Sequence, residues 1–125
     1  MRLLLDTHIF LWAAQDSSAL KPATRRLLEE AEQVYVSAAS IWEIAVKARL
    51  GRIDADADAL AGAIAGSGFL ELPVLAAHAA GVAKLPLHHA DPFDRILIAQ
   101  AIFESLKLLT VEVVLVEYGH VVVLA

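Results

Sequence analysis

The chain has 125 residues, a formal net charge of −5 and no cysteine. That length suits one domain, residues 1–125, with a sizeable core, and the missing thiols exclude disulfides and thiolate metal ligands and agree with a reducing, cytoplasmic setting. The negative balance argues against holding nucleic acid by bulk electrostatics, though not against an enzyme whose acidic cluster is neutralised by cations.

Arg2–Leu5 reads as a short buried strand, followed by a helix over Thr7–Ala14 with Ile9, Phe10, Leu11 and Trp12 as its apolar surface. Pro22 opens a second helix, Ala23–Gln33, and Val34-Tyr35-Val36 is a second strand by its β-branched and aromatic content. A third helix is expected from Ser40 to Leu50, stopped at Gly51, and a fourth over Asp54–Ala65 with its aspartates near the positive end of the dipole. Phe69–Leu72 is a candidate strand, Leu75–Ala83 a helix, and Pro86-Leu87-His88-His89 a loop. Pro92–Leu106 carries the clearest helix start, with Asp91 as cap and Pro92 in the first turn. Leu108-Leu109 and Val121–Leu124 complete the strands. Strands alternating with helices predict a three-layer α/β/α sandwich with a mainly parallel sheet, in which sites form beyond the carboxyl ends of the strands.

The apolar share, 58%, exceeds the roughly 45–50% of soluble domains. Yet Ala59–Leu72 is broken by glycines, Ser67 and Glu71, and no run reaches the ~18 residues of a membrane span. The apolar start is too short for a signal peptide. Surplus apolar surface instead suggests oligomerisation or a permanent partner.

The acids fall at junctions. Asp6 ends the run Leu3-Leu4-Leu5, Glu43 lies in Ser-Ile-Trp-Glu, Asp91 and Asp94 frame Asp-Pro-Phe-Asp-Arg, and Glu112 follows Leu-Leu-Thr. Each has a structural reading: Ser40 and Glu43 match a capping box, Glu43 pairs with Lys47 at i,i+4, Asp91 is an N-cap with Asp94 at N3, Asp6 or Thr7 caps its helix, and Glu112 is a first-turn acid. Converging helix starts would instead bring Asp6, Glu43, Asp94 and Glu112 together, and such carboxylates repel unless a cation neutralises them. Mg²⁺ or Mn²⁺ suits oxygen donors of this kind. Lys47, Arg49 and Arg52, with Arg25, Arg26 and Arg95, are candidates for a basic rim. His88-His89 lacks the spacing of a zinc pair and reads as loop, Asp54-Ala-Asp56-Ala-Asp58 lacks the glycine and closing glutamate of a calcium loop, and Trp12 and Trp42 read as core.

These residues resemble the PIN-domain family, and within it the VapC toxins of bacterial toxin–antitoxin pairs. The resemblance rests on residues 3–12, on Ser-Ala-Ala-Ser-Ile-Trp-Glu-Ile-Ala-Val-Lys at 37–47, on Leu-Pro-Leu-His-His-Ala-Asp-Pro-Phe-Asp-Arg-Ile-Leu-Ile-Ala-Gln-Ala at 85–101, and on Leu-Leu-Thr at 108–110. It implies a metal-dependent ribonuclease in which Asp6, Glu43 and Asp94 organise the metal and Asp91 caps or supports. Glu112 stands where the family usually carries an aspartate, and Val111, Val113, Val114 and Val116 are poor helix formers for a segment that the family makes helical. Thr7, Ser40 and Thr110 are candidate donors that orient the acids, and Arg95 a candidate phosphate contact. The resemblance also implies an RNA substrate, a homodimer and a small antitoxin over the acidic cleft. Two other readings remain: a weakened PIN fold serving as an RNA- or partner-binding module, and a metal phosphohydrolase for small esters, against which Asp6-Thr7-His8 lacks a second aspartate two residues on.

Overall fold

The computed structural model describes every residue, Met1–Ala125. Five strands, β1 (Arg2–Leu5), β2 (Gln33–Ser37), β3 (Leu70–Leu72), β4 (Lys107–Thr110) and β5 (Val122–Leu124), form one sheet in the order β3-β2-β1-β4-β5. All four pairings are parallel, with Leu4 opposite Tyr35 on one side and Leu108 on the other.

A parallel sheet is covered on both faces, so its central strands read as continuous apolar runs rather than alternating ones. Leu3, Leu4 and Leu5 are all buried, but to opposite sides. Leu3 and Leu5 join Val34, Val36 and Leu109 beneath α1 (Thr7–Ala14), α3 (Ala38–Arg49) and α4 (Ala57–Gly66), while Leu4 and Leu108 meet Leu97, Ile98 and Ala101 of α6 (Pro92–Glu104). The three-layer architecture is therefore set by strand alternation: successive side chains of β1 serve two different cores.

The chain builds β1, β2 and β3 outward in one direction, then returns through α5 (Ala76–Gly81) and α6 to lay β4 on the other side of β1. The order reverses between β1 and β4. Such reversal opens a crevice beyond the strands' carboxyl ends, because the two connections leave in opposite directions.

Several boundaries depart from the sequence reading. The second helix, α2, spans Pro22–Glu30 and stops before Gln33, which the Arg2 register recruits into β2. The third helix starts at Ala38, and its cap is Ser37, whose hydroxyl accepts the Ala39 N–H. Ser40 thus sits inside the helix and the Ser40–Glu43 capping box does not form. Helix α4 begins after Asp56, which accepts from the Asp58 and Ala59 N–H groups. Helix α6 ends two residues early, at Glu104, and the left-handed backbone of its cap Ser105 (φ 57°) turns the chain into β4. Val113–Val121 forms 3₁₀ turns interrupted at Gly119 rather than an α-helix, in keeping with its valines. Trp12 is partly buried against the core, but Trp42 is 60% exposed, so its assignment to the core is wrong.

Candidate active site

The carboxyl ends of β1, β2 and β4 and the start of α6 surround a cleft of about 190 Å³ lined by Asp6, Thr7, His8, Glu43, Lys47, His89, Asp91, Asp94 and Glu112. No hydrophobic side chain lines it. All five acids singled out in the sequence face this one space.

Asp6 follows directly on β1, and its amide hydrogen-bonds the Leu109 carbonyl, so the sheet itself fixes its position. It caps α1: Oδ1 accepts the Ile9 N–H at 2.9 Å, and Oδ2 accepts the Thr110 hydroxyl at 2.5 Å. The residue is 2% exposed. Burial pushes its carboxyl above the ordinary range, while the Ile9 amide and the Thr110 hydroxyl pull the other way.

Glu43 reaches the cleft from the first turns of α3. Its Oε1 accepts the Thr7 hydroxyl at 2.5 Å and its Oε2 the Lys47 ammonium at 2.5 Å. Thr7 Oγ1 also lies 3.1 Å from Ser40 Oγ. A hydroxyl has one proton. With that of Thr7 on Glu43, Ser40 is left to donate to Thr7, giving a buried relay Ser40–Thr7–Glu43. Hydrogen bonding to Glu43, the largest effect, raises the Lys47 ammonium above its usual range, so it is the cation held inside this acidic space.

Asp91 caps α6 through one oxygen, Oδ1, which accepts from both Phe93 and Asp94 amides. Asp94, three residues on, turns across the helix mouth and takes the His89 ring nitrogen Nε2 on Oδ2 at 2.9 Å. Desolvation first, then the Asp91 charge, push the Asp94 carboxyl up to about 6 despite the His89 hydrogen bond. Glu112 lies just beyond β4, its amide accepted by the Thr110 hydroxyl at 3.0 Å. The Thr110 hydroxyl therefore ties Asp6 to the backbone amide of Glu112.

The tightest potential ligand group is His89, Asp91 and Asp94, with one donor atom from each within 4.8 Å of the others. A set of hard carboxylate oxygens with one imidazole, in a polar cleft without apolar lining, is chemically suited to a small divalent cation. Asp6, Glu43 and Glu112 line the same cleft but lie outside that closest group.

Two sequence expectations change here. Arg95 is not a free phosphate contact: its guanidinium donates to the carbonyls of Val82, Leu85, Pro86 and His89 and to the Tyr118 hydroxyl. Arg25 is engaged with Asp16 at 2.9 Å, and of the basic-rim candidates only Lys47 lines the cleft. In the sequence His89 reads as loop because its neighbours carry no ligand spacing. The signal was its place five residues before Asp94, just ahead of a helix start. His88 points elsewhere, its ring 5.0 Å from that of Tyr118.

The family model described as "PIN domain" matches residues 3–120. This chain belongs to the PIN-domain family. The PIN fold is seen again among solved structures. VapBC2 from Rickettsia felis bound to a DNA fragment from its promoter contains a chain similar to this one at TM-score 0.71 and 15% identity, over 100% of this chain and 98% of that one. A toxin–antitoxin complex from Klebsiella pneumoniae gives TM-score 0.67 and 20% identity, over 97% and 95%. FitAcB from Neisseria gonorrhoeae gives TM-score 0.56 and 20% identity, over 88% and 87%. No curated protein matches this PIN domain by sequence. No helix in it is long and apolar enough to cross a membrane.

Proposed function

We propose that this PIN domain, acting as a single unit over residues 1–125, is a Mg²⁺- or Mn²⁺-dependent endoribonuclease and the toxin of a toxin–antitoxin pair in the cytoplasm. The observation that carries the reading is the convergence of five carboxylates on one cleft at the carboxyl ends of β1, β2 and β4. A purely structural role explains each cap singly. It does not explain why a 2%-exposed Asp6 and a 4%-exposed Glu43 face three further acids across a polar space. Gathering charges of one sign costs stability, and function is the usual reason for accepting that cost.

Asp6, Glu43 and Asp94 are the proposed metal-organising acids, with Asp91 beside them and Glu112 in a lesser, water-mediated role. When bound, a divalent ion supplies acidity to water and charge neutralisation at a phosphoryl oxygen. The chain's own residues keep the ligand oxygens in place. Thr110 orients Asp6, the Ser40–Thr7 relay orients Glu43, and His89 orients Asp94. Lys47 pairs with Glu43 and is the cation in reach of a substrate phosphate. Arg95 acts at one remove, on the loop before α6.

The complexes that share this fold are toxin–antitoxin assemblies by name, which supports a small antitoxin as partner. Exposed Trp42, Leu87, Ile102 and Phe103 offer apolar surface to an antitoxin or to a second copy in a homodimer. The deciding experiment incubates purified protein with an RNA panel and added metal. Cleavage by wild type that is lost in Asp94→Asn supports the assignment. Equal cleavage by both points to a contaminating nuclease and sinks it. RNA affinity without turnover at any metal concentration would favour a binding module instead.

A further inference from the structure

We propose that Trp42 is the stacking platform for an unpaired nucleobase beside the phosphate in the acidic cleft, so that the substrate is taken as single-stranded RNA. The inference rests on the nuclease reading above and adds how the strand is held. Trp42 is 60% exposed, an uncommon setting for the largest apolar side chain of its helix. Phe93 meets it from the start of α6, with ring centroids 4.8 Å apart and planes at 66°. That edge contact holds the indole in place while most of its surface stays open.

A groove of about 600 Å³ opens at this indole and shares its walls with the cleft. On α3, Glu43 lines the cleft, and Trp42, the residue before it, lines the groove. Around the start of α6, Asp91 and Asp94 line the cleft, while Ala90, Pro92 and Ile96 line the groove. Consecutive helical residues point roughly 100° apart, which sends sequence neighbours into adjoining spaces. The cleft has no apolar lining. In the groove the one polar side chain is Arg95, and its guanidinium is taken up by backbone carbonyls and Tyr118. A nucleotide divides in the same way, into a charged phosphate and the flat apolar faces of its base. Ile102 and Phe103 line a separate groove against α5, where a protein partner can sit without Trp42. With no free polar side chain in the Trp42 groove, the base is held by its π-face and not read at its edge. Any base serves, provided it is unpaired.

Two measurements on the full chain test the platform. On mixing with a short single-stranded RNA and Mg²⁺, tryptophan emission should be quenched before turnover, and the same strand in a duplex should quench little. The chain has two tryptophans, so in Trp42→Phe, which leaves Trp12, the quench should vanish. Cleavage by that variant should stay within about 3-fold of wild type, because a phenyl face still stacks. Trp42→Ala should raise KM for RNA about 10-fold with kcat little changed, the mark of lost uniform binding. Wild type should show the same loss on RNA with one abasic nucleotide next to the cleaved bond, and on that substrate the two proteins should cleave alike. Quenching that persists in Trp42→Phe, or a Trp42→Ala deficit of equal size on intact and abasic RNA, overturns the platform. A change of oligomeric state in Trp42→Ala, read by sedimentation, also overturns it and makes Trp42 a contact between protein chains. Quenching without cleavage of any RNA keeps the platform and defeats the nuclease reading, whereas cleavage without quenching does the reverse.

Discussion

Thr110, the last residue of β4, donates its hydroxyl to Asp6, the first residue beyond β1, at 2.5 Å. The two are 104 positions apart in sequence, and the contact crosses the point where the strand order reverses. It joins the two halves of the cleft and holds a nearly buried carboxylate in the direction that faces the other acids.

Thr110→Val keeps the shape but leaves that carboxylate short of a donor. Stability at neutral pH should fall by about 1–3 kcal/mol, the cost of an unsatisfied buried acceptor, while Thr110→Ser should recover most of it. Because the Thr110 hydroxyl is one of the influences that lower the Asp6 pKa, its removal lets burial raise that pKa further. The deficit should therefore shrink in acid, where Asp6 is protonated. Chemical denaturation of all three proteins as a function of pH, from pH 7.5 downward, checks the pattern.

Asp94 titrates near 6, above the 3.8 of an ordinary aspartate. A carboxyl whose folded pKa is raised binds its proton more tightly when folded. Its stabilising contribution is complete below the unfolded pKa and is lost as pH rises through about 6. The metal-free protein should thus gain stability on acidification from pH 7.5 toward pH 5, and Asp94→Asn should flatten that dependence. Divalent metal needs the ionised form, so thermal protection by Mn²⁺ should run oppositely and fade below pH 6. A stability profile that is flat in wild type would rule out a strained Asp94.

Substitution of the acids should rank them. Asp6→Asn, Glu43→Gln and Asp94→Asn should each lower RNA hydrolysis at least about 100-fold, the scale of removing one pre-organised charge group from an active site. Glu112→Gln should cost about 10-fold or less, since no side-chain hydrogen bond holds Glu112 in the cleft and only its backbone is anchored. Single-turnover cleavage rates at saturating metal measure the order. A Glu112→Gln loss as large as that of Asp94→Asn would place Glu112 among the principal ligands.

Arg95→Lys retains charge but lacks the planar fork that serves several carbonyls at once. Loss of these bonds should cost about 2 kcal/mol and raise amide exchange in the segment between α5 and α6, with β1 and β4 unaffected. Hydrogen-exchange mass spectrometry resolves the two regions. Unchanged exchange in that segment would mean that Arg95 does not hold it.

The fold and most of the cleft were legible in the sequence because their signals are local. Leu3-Leu4-Leu5 announces a strand buried on both faces, Asp91-Pro92 announces a helix start, and alternation of strands and helices announces a parallel sheet with its site at the carboxyl ends. Residues placed by those junctions, Asp6, Glu43, Asp94 and Glu112, do line one cleft. Features decided by long-range contacts were not legible. Ser37 rather than Ser40 caps α3, because β2 runs to Ser37, paired there with Leu72 of β3, leaving Ser40 to support Thr7 from within the helix. Arg95 looks like a phosphate contact until four carbonyls and Tyr118 are seen around it. His89 looks like loop until Asp94 is seen 2.9 Å away. Periodicity and capping are written over neighbouring residues, so the sequence alone determined which elements form and which acids stand at their ends. Which donors those acids share, which cation lies among them and which basic groups are already engaged depend on pairs far apart in the chain. Only the tertiary structure, by closing the sheet between β1 and β4, decided them.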